Sequence, residues 1–206
     1  MDEPVELPMF PLGSVLFPAM PLPLRVFEAR YLTMLDAILA GETPEFGVVL
    51  IERGQEVGGG EQRFGIGTVA RIAEVTSGEG MVSVLGSGHR RFEIVQWLAE
   101  TPFPRAMVRF LPDLEWDESC EQRSEQTELL VRRTLQRARL LDDQVWPSTV
   151  ELEDEPITHV WQLAGIAPLG PLDQIGLLGA HSVRDLLDAI FVAVTDVAES
   201  LDLRSL

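Results

Sequence analysis

The sequence predicts an α+β protein, in which a β-rich half carrying one inserted helix is followed by a C-terminal helical bundle. Three observations carry this prediction. Residues 1 to about 112 are punctuated by glycine and proline and read mostly as short strands. A single helical pattern at 28–40 interrupts them. Beyond an acidic connector, "DLEWDESCEQ", the hydrophobic period changes from two to 3.6. The expected domains are therefore 1–115, β-rich, and 116–206, helical.

The elements follow in order. "FPLGSVLFPAMPLPLRVFEARY" (10–31) is apolar enough to be buried, yet Pro4, Pro8, Pro11, Pro18, Pro21 and Pro23 all fall within the first 23 residues. Proline removes a backbone donor and is confined to strand edges and turns. The segment therefore reads as two short strand pieces joined by proline-restricted turns. "LPLRVF" (22–27), "FGVVLIE" (46–52), "GTVARIAEVT" (67–76), "MVSVLGS" (81–87), "RFEIVQWL" (91–98) and "RAMVRFL" (105–111) are the strands. The glycine turns "SGEG" (77–80) and "GSG" (86–88) separate successive strands as hairpin loops would, so the pairing is expected to be antiparallel. "EARYLTMLDAILA" (28–40) places Tyr31, Leu32, Leu35, Ile38 and Leu39 on one helical face.

In the second half, "EQTELLVRRTLQRARLL" (125–141) is a long helix with arginines along one side. "PITHVWQLAGI" (156–166) opens on a proline suited to a first helical turn, and "PLDQIGLL" (171–178) is short and stopped by Gly179. The final helix has the clearest period: Val183, Leu186, Leu187, Ile190, Phe191, Val194, Val197, Ala198 and Leu201. Ser182 stands before it as an N-cap, with Asp185 three residues on.

Charge and composition narrow the function. The net charge is −17, and all sixteen basic residues are arginine. Such a surface repels phosphate backbones and anionic lipid, so neither nucleic acid nor membrane is expected as a partner. A GC-rich coding sequence accounts for the missing lysine, with selection against lysine modification as the alternative. The single cysteine, Cys120, excludes an intrachain disulfide and a thiolate metal cage. The first residues carry Asp2, Glu3 and Glu6 where a signal peptide would be basic, and no apolar stretch is long enough to span a bilayer. A cytoplasmic protein is expected.

No catalytic constellation emerges. "EVGGGEQRFGIGT" (56–68) lacks the lysine and the following helix of a phosphate loop and reads as a hairpin loop. His89, His159 and His181 have no helical metal-pair spacing, and His89, in "GSGHRRF", lies beside two arginines that lower its pKa. The carboxylates at Asp113–Glu121 and Glu151–Glu155 fall in expected linkers. Without lysine a Ser-Lys dyad is impossible, and no serine occupies a nucleophile elbow. Neither cofactor nor metal is called for.

A larger pattern runs through the chain: "LPMFPLGSVLFPAMPLPLRVFEARYLTMLDAIL", "FGVVLI", "EVGG", "GIGTVARI", "GHRRFEI" and, later, "LDQIGLLGAHSVRDLLDAI" (172–190). It resembles the N-terminal substrate-binding domain of the ATP-dependent Lon proteases. The resemblance implies a β-rich, PUA-like pseudo-barrel with one inserted helix, followed by a helical bundle, and a role in peptide recognition. It does not imply proteolysis, because the sequence as read ends at Leu206 with neither an ATPase nor a Ser-Lys protease module. Where Lon proteins usually place lysine before glutamine, this chain has Asp173 before Gln174.

The resulting expectation is a non-catalytic module for unfolded or degron-bearing polypeptides, acting as an adaptor alongside a protease or chaperone. Strand addition and side-chain pockets would hold the ligand. Phe17, Met20, Leu22, Trp97 and Phe103, large apolar residues beside prolines or strand ends, are the candidate contacts. Two alternatives stand beside it. A small-molecule hydrolase would need a pocket joining His89 or His159 to a buried carboxylate. A structural adaptor would bind its partner through the helical half.

Overall fold

The computed structural model describes residues 3–53, 62–78, 80–142 and 144–204. The polypeptide forms two compact units, Met1–Asp113 and Leu114–Leu206.

The first unit contains β1 (Val5–Leu12), β2 (Pro21–Val26), α1 (Ala29–Leu39), β3 (Glu45–Arg53), β4 (Gln62–Gly78), β5 (Met81–Trp97) and β6 (Arg105–Phe110). Strand order is β2-β5-β4-β3-β1-β6, and β6 also pairs with β5. Five strands thus close into a barrel, with β2 added outside along the first part of β5. Each barrel strand sends at least one side chain to a common core of Met9, Val49, Val69, Phe92, Ala106 and Val108. Gly67 leaves room for it: a Cβ there would stand 2.7 Å from the Phe92 ring.

The pairing is mixed rather than wholly antiparallel, because β1 divides its partners. Val5–Pro8 runs antiparallel to β6, and Met9–Leu12 runs parallel to β3. Each part of β1 has one ladder in this register, which explains how Pro8 and Pro11 fit inside a closed sheet: a missing N–H is tolerated on the unpaired side. The "GSG" segment is not a turn either. Residues 81–97 form one continuous strand, and Gly86 and Gly88 let neighbouring backbone approach it closely. Gly80, with φ of +75°, is the left-handed residue in the β4–β5 turn. Of the glycine-rich stretch at 56–68, residues 56–61 lie outside the described residues, and 62–68 belong to β4.

α1 covers one side of this unit. Tyr31, Met34, Leu35 and Ile38 are buried, and the Tyr31 ring stacks on Phe10 of β1 at 4.1 Å between centroids.

The second unit opens with a 3-10 turn at Glu118–Cys120 and continues through α2 (Glu121–Ala138), α3 (Pro156–Ile166), α4 (Pro171–Leu178) and α5 (Val183–Arg204). α2 begins four residues earlier than the sequence pattern indicated. The acidic connectors supply part of the reason for these boundaries. Asp117 accepts from the Ser119 N–H, and Glu155 accepts from the Ile157 and Thr158 N–H groups at the start of α3. These contacts hold both carboxyls below their ordinary pKa. Ser182 likewise accepts from the Asp185 N–H at 3.1 Å. The arginines of α2 tie it to α5: Arg123 pairs with Asp188 at 2.7 Å, and Arg137 pairs with Asp202.

Candidate binding surface

The outer part of the first unit is a three-stranded extension made by β2 and the distal ends of β4 and β5. Its register decides which side chains share a face. Pro23 lies opposite Leu85, and Arg25 opposite Ser83. On the other side of β5, Glu74 lies opposite Leu85 and Thr76 opposite Ser83. Alternation therefore sends Pro23, Arg25, Ser83, Leu85, Glu74 and Thr76 to one side. Leu22, Val26 and Val84 point to the other and are buried.

That first side is exposed and carries apolar side chains. Leu85 is 47 % exposed, Met81 at the start of β5 is 38 % exposed, and Phe27, directly after β2, is 57 % exposed. Pro23, Arg25, Glu74, Thr76, Ser83 and Leu85 line an open groove of about 500 Å³. One arginine and one glutamate flank its apolar residues. Such a surface can hold an extended apolar segment through side chains, with polar groups fixing its direction.

Strand addition at the free edge of β2 is a different matter. An antiparallel strand directs alternate residues to its neighbour, and proline cannot donate to a ladder. Pro21, Pro23 and Arg25 consequently face the outer edge, which leaves Arg25 as its one N–H donor within β2. The prolines blunt this edge.

The five residues singled out from the sequence fall into two groups. Phe17, Met20 and Leu22 surround the contact of the β1–β2 loop with Gly88 of β5, and all three are buried. The Ala19 N–H donates to the Gly88 carbonyl, and the Gly88 N–H donates to the Met20 carbonyl, each at 2.9 Å. Trp97 and Phe103 belong to the far end of β5 and the loop after it, about 30 Å of strand away from Gly88. Phe103 is buried, while Trp97 is half-buried with the Arg63 guanidinium 4.5 Å from its ring centroid. The structure does not bring the five together, and Trp97 presents only part of its surface. Phe27, Met81 and Leu85 escaped the sequence reading because exposure on a strand depends on register; the strict alternation Met81, Ser83, Leu85 was the available signal.

His159 is engaged in the structure, whereas His181 is exposed. His159 faces Glu128 through Nε2 at 3.2 Å and the Glu153 carbonyl through Nδ1 at 3.1 Å, so both ring nitrogens are occupied. His89 lies on β5, not in a turn, and burial followed by the charge of Arg71 lowers its pKa. Among the described residues no group of three histidine, cysteine or carboxylate side chains could hold a metal ion. No helix among them is long and apolar enough to cross a membrane.

Comparison with known proteins gives this architecture its place. The sequence profile of the ATP-dependent protease La (LON) substrate-binding domain matches residues 6–196. The chain belongs to that family. Lon protease 2 of Herpetosiphon aurantiacus is 29 % identical over 204 residues, covering 97 % of this chain and 25 % of that protein. Lon protease 2 of Myxococcus xanthus is 34 % identical over 124 residues, covering 58 % and 15 % respectively. The chain thus spans at most a quarter of the length of these relatives. The Lon N-terminal domain protein from Xanthomonas campestris superimposes with a TM-score of 0.62 at 27 % identity, over 89 % of this chain and 96 % of that one. The N-terminal domain of the Mycobacterium avium complex Lon protease, at 18 % identity, shares the fold with a TM-score of 0.64, over 93 % and 99 %. Membership of the Lon substrate-binding family supports a substrate-binding role, and the matched domain is a non-catalytic module.

Proposed function

We propose that this chain is a recognition module for unfolded or degron-bearing polypeptides, acting as an adaptor beside a protease or chaperone in the cytoplasm. The observation that carries this reading is the exposed face of β2, β5 and β4, where Leu85 lines an open groove and Phe27 and Met81 are exposed at the end of β2 and the start of β5. Large apolar side chains held on a rigid sheet are placed to bind an apolar ligand segment without rearranging. Binding runs through these side chains rather than through the proline-blunted edge of β2. Phe17, Met20, Leu22 and Phe103 contribute by fixing the loops around β5 from within the core, and Trp97 lies too far along β5 to share this face.

The test is a fluorescence-anisotropy titration with labelled, reduced and carboxymethylated lactalbumin, a permanently unfolded chain. Wild-type protein binds it weakly, and the double variant Phe27→Ser, Leu85→Asp binds about tenfold more weakly, a loss of about 1.4 kcal/mol. Both positions are exposed, so the variant retains its far-UV circular dichroism and thermal midpoint. No binding at high micromolar concentration, or equal binding by the folded variant, overturns the proposal.

A further inference from the structure

The second unit carries an apolar surface that the peptide-binding reading leaves unused. The core side of α5 is accounted for: Val183, Leu186, Leu187, Ile190 and Val194 are buried within the bundle. A second stripe runs along the same helix through Ala189, Val192, Ala193, Val197 and Ser200, at spacings of three and four residues. Val192 is 59 % exposed. A helix that is apolar on two sides has a face without a partner in the bundle.

This stripe forms the floor of an open groove of about 850 Å³, and its walls include Asp173 of α4 with Asp188 and Asp196 of α5. Among the described residues that line it none is basic. Arg123 of α2 is the partner of one of these carboxylates. It pairs with Asp188 and stacks on the Phe191 ring at 4.0 Å, so it neutralises one of the three carboxylates from the α2 side. Ala189, Ala193 and Ser200 are small, which lets a backbone approach closely along the groove.

From this arrangement we infer that the groove receives a basic amphipathic helix of another protein, with its apolar stripe on Val192 and Val197 and its lysines or arginines against Asp173 and Asp196. Charge complementarity selects this occupant. A second copy of the chain would bring aspartate rims together, and like charges juxtaposed at an interface cost several kcal/mol. An acidic or uncharged helix would leave the carboxylates unpaired as they lose water. The surface lies wholly within the helical unit, so its test is independent of the one on the sheet.

The probes are two synthetic 18-residue peptides, each with leucine at i, i+3, i+4 and i+7 spacing, one with lysine and one with glutamate on the remaining face. A scrambled lysine peptide of the same composition controls for attraction to the acidic surface at large. The full chain binds the amphipathic lysine peptide at least tenfold more tightly than either of the others. Asp173→Asn with Asp196→Asn removes two of 33 acidic residues, leaving the overall field nearly intact, yet weakens that binding at least fivefold. Because carboxylate to amide is isosteric and both sites are on the surface, the variant remains folded; Val192→Glu is the second variant and gives the same loss. Equal binding of ordered and scrambled lysine peptides, or no change in either variant, overturns the inference. So does sedimentation showing a dimer that either variant dissociates.

Discussion

A Cβ placed on Gly88 would lie 2.0 Å from the carbonyl oxygen of Phe17. The β1–β2 loop therefore rests directly on the backbone of β5, with no space for a side chain between them. Phe17 begins a tight turn, in which the Met20 N–H donates to the Phe17 carbonyl and Ala19 adopts a φ of 60°. Two hydrogen bonds then join this loop to both sides of Gly88.

Replacing Gly88 with alanine must push the loop off the strand or break those bonds. The expected cost is about 1–3 kcal/mol, that of overpacking a well-filled site. At about 2–4 °C per kcal/mol for a chain of this size, thermal denaturation reads it directly. A midpoint within a degree of wild type would show that the loop has room to move.

Arg91, three positions along β5, is 5 % exposed and donates from its guanidinium to the Pro112 carbonyl at 2.7 Å. Its own carbonyl accepts from the Leu111 N–H at 2.9 Å, so both ends of Arg91 hold the chain after β6. Arg91→Met keeps the apolar stem and removes the donor. Leaving the Pro112 carbonyl without it costs about 1–3 kcal/mol, measured as a reduced urea midpoint at unchanged m-value.

His89 gives stability a pH dependence. Burial and then Arg71 lower its folded pKa below 6.5, so the unfolded chain takes up the proton first. Its contribution is complete above 6.5 and is lost as pH falls through 6.5 toward the folded value. The thermal midpoint of the wild type is expected to fall more between pH 7.5 and 5.5 than that of His89→Gln. Parallel pH profiles for the two proteins would remove His89 as the source.

The prolines of β2 are expected to act against self-association. Pro21→Thr with Pro23→Thr restores two N–H donors to an edge that otherwise offers Arg25 alone. Size-exclusion elution that shifts with concentration in the double variant, but not in wild type, is the expected result. Identical elution would mean that the edge is protected by something other than proline.

The sequence revealed the helices best. α3 and α4 follow the expected limits residue for residue, because Pro156, Pro171 and the apolar period are local signals. The strands were legible as strands but not as a barrel. Nothing local in "GSG" distinguishes a hairpin loop from a strand whose glycines admit a neighbouring loop, and the neighbour, Phe17, lies about seventy positions earlier. That contact also ties the opening segment to "GHRRF" within this chain: Gly88, Arg91 and Phe92 meet the loop, the chain after β6 and the barrel core respectively. The exposed face was hidden for the same reason. Whether Leu85 or Val84 points outward depends on pairing with Pro23 and Leu24, not on either residue's character.

The divided pairing of β1 bears on how the protein emerges from the ribosome. Val5 is held by Val108, some hundred positions later, so the opening strand must wait, unpaired along half its length, until nearly the whole first unit has been synthesised. Contacts that distant slow folding, since chain closure is costly before they form. During that interval Pro8 makes the waiting segment a poorer template for neighbouring chains, so a residue that fits a split strand also guards it in transit.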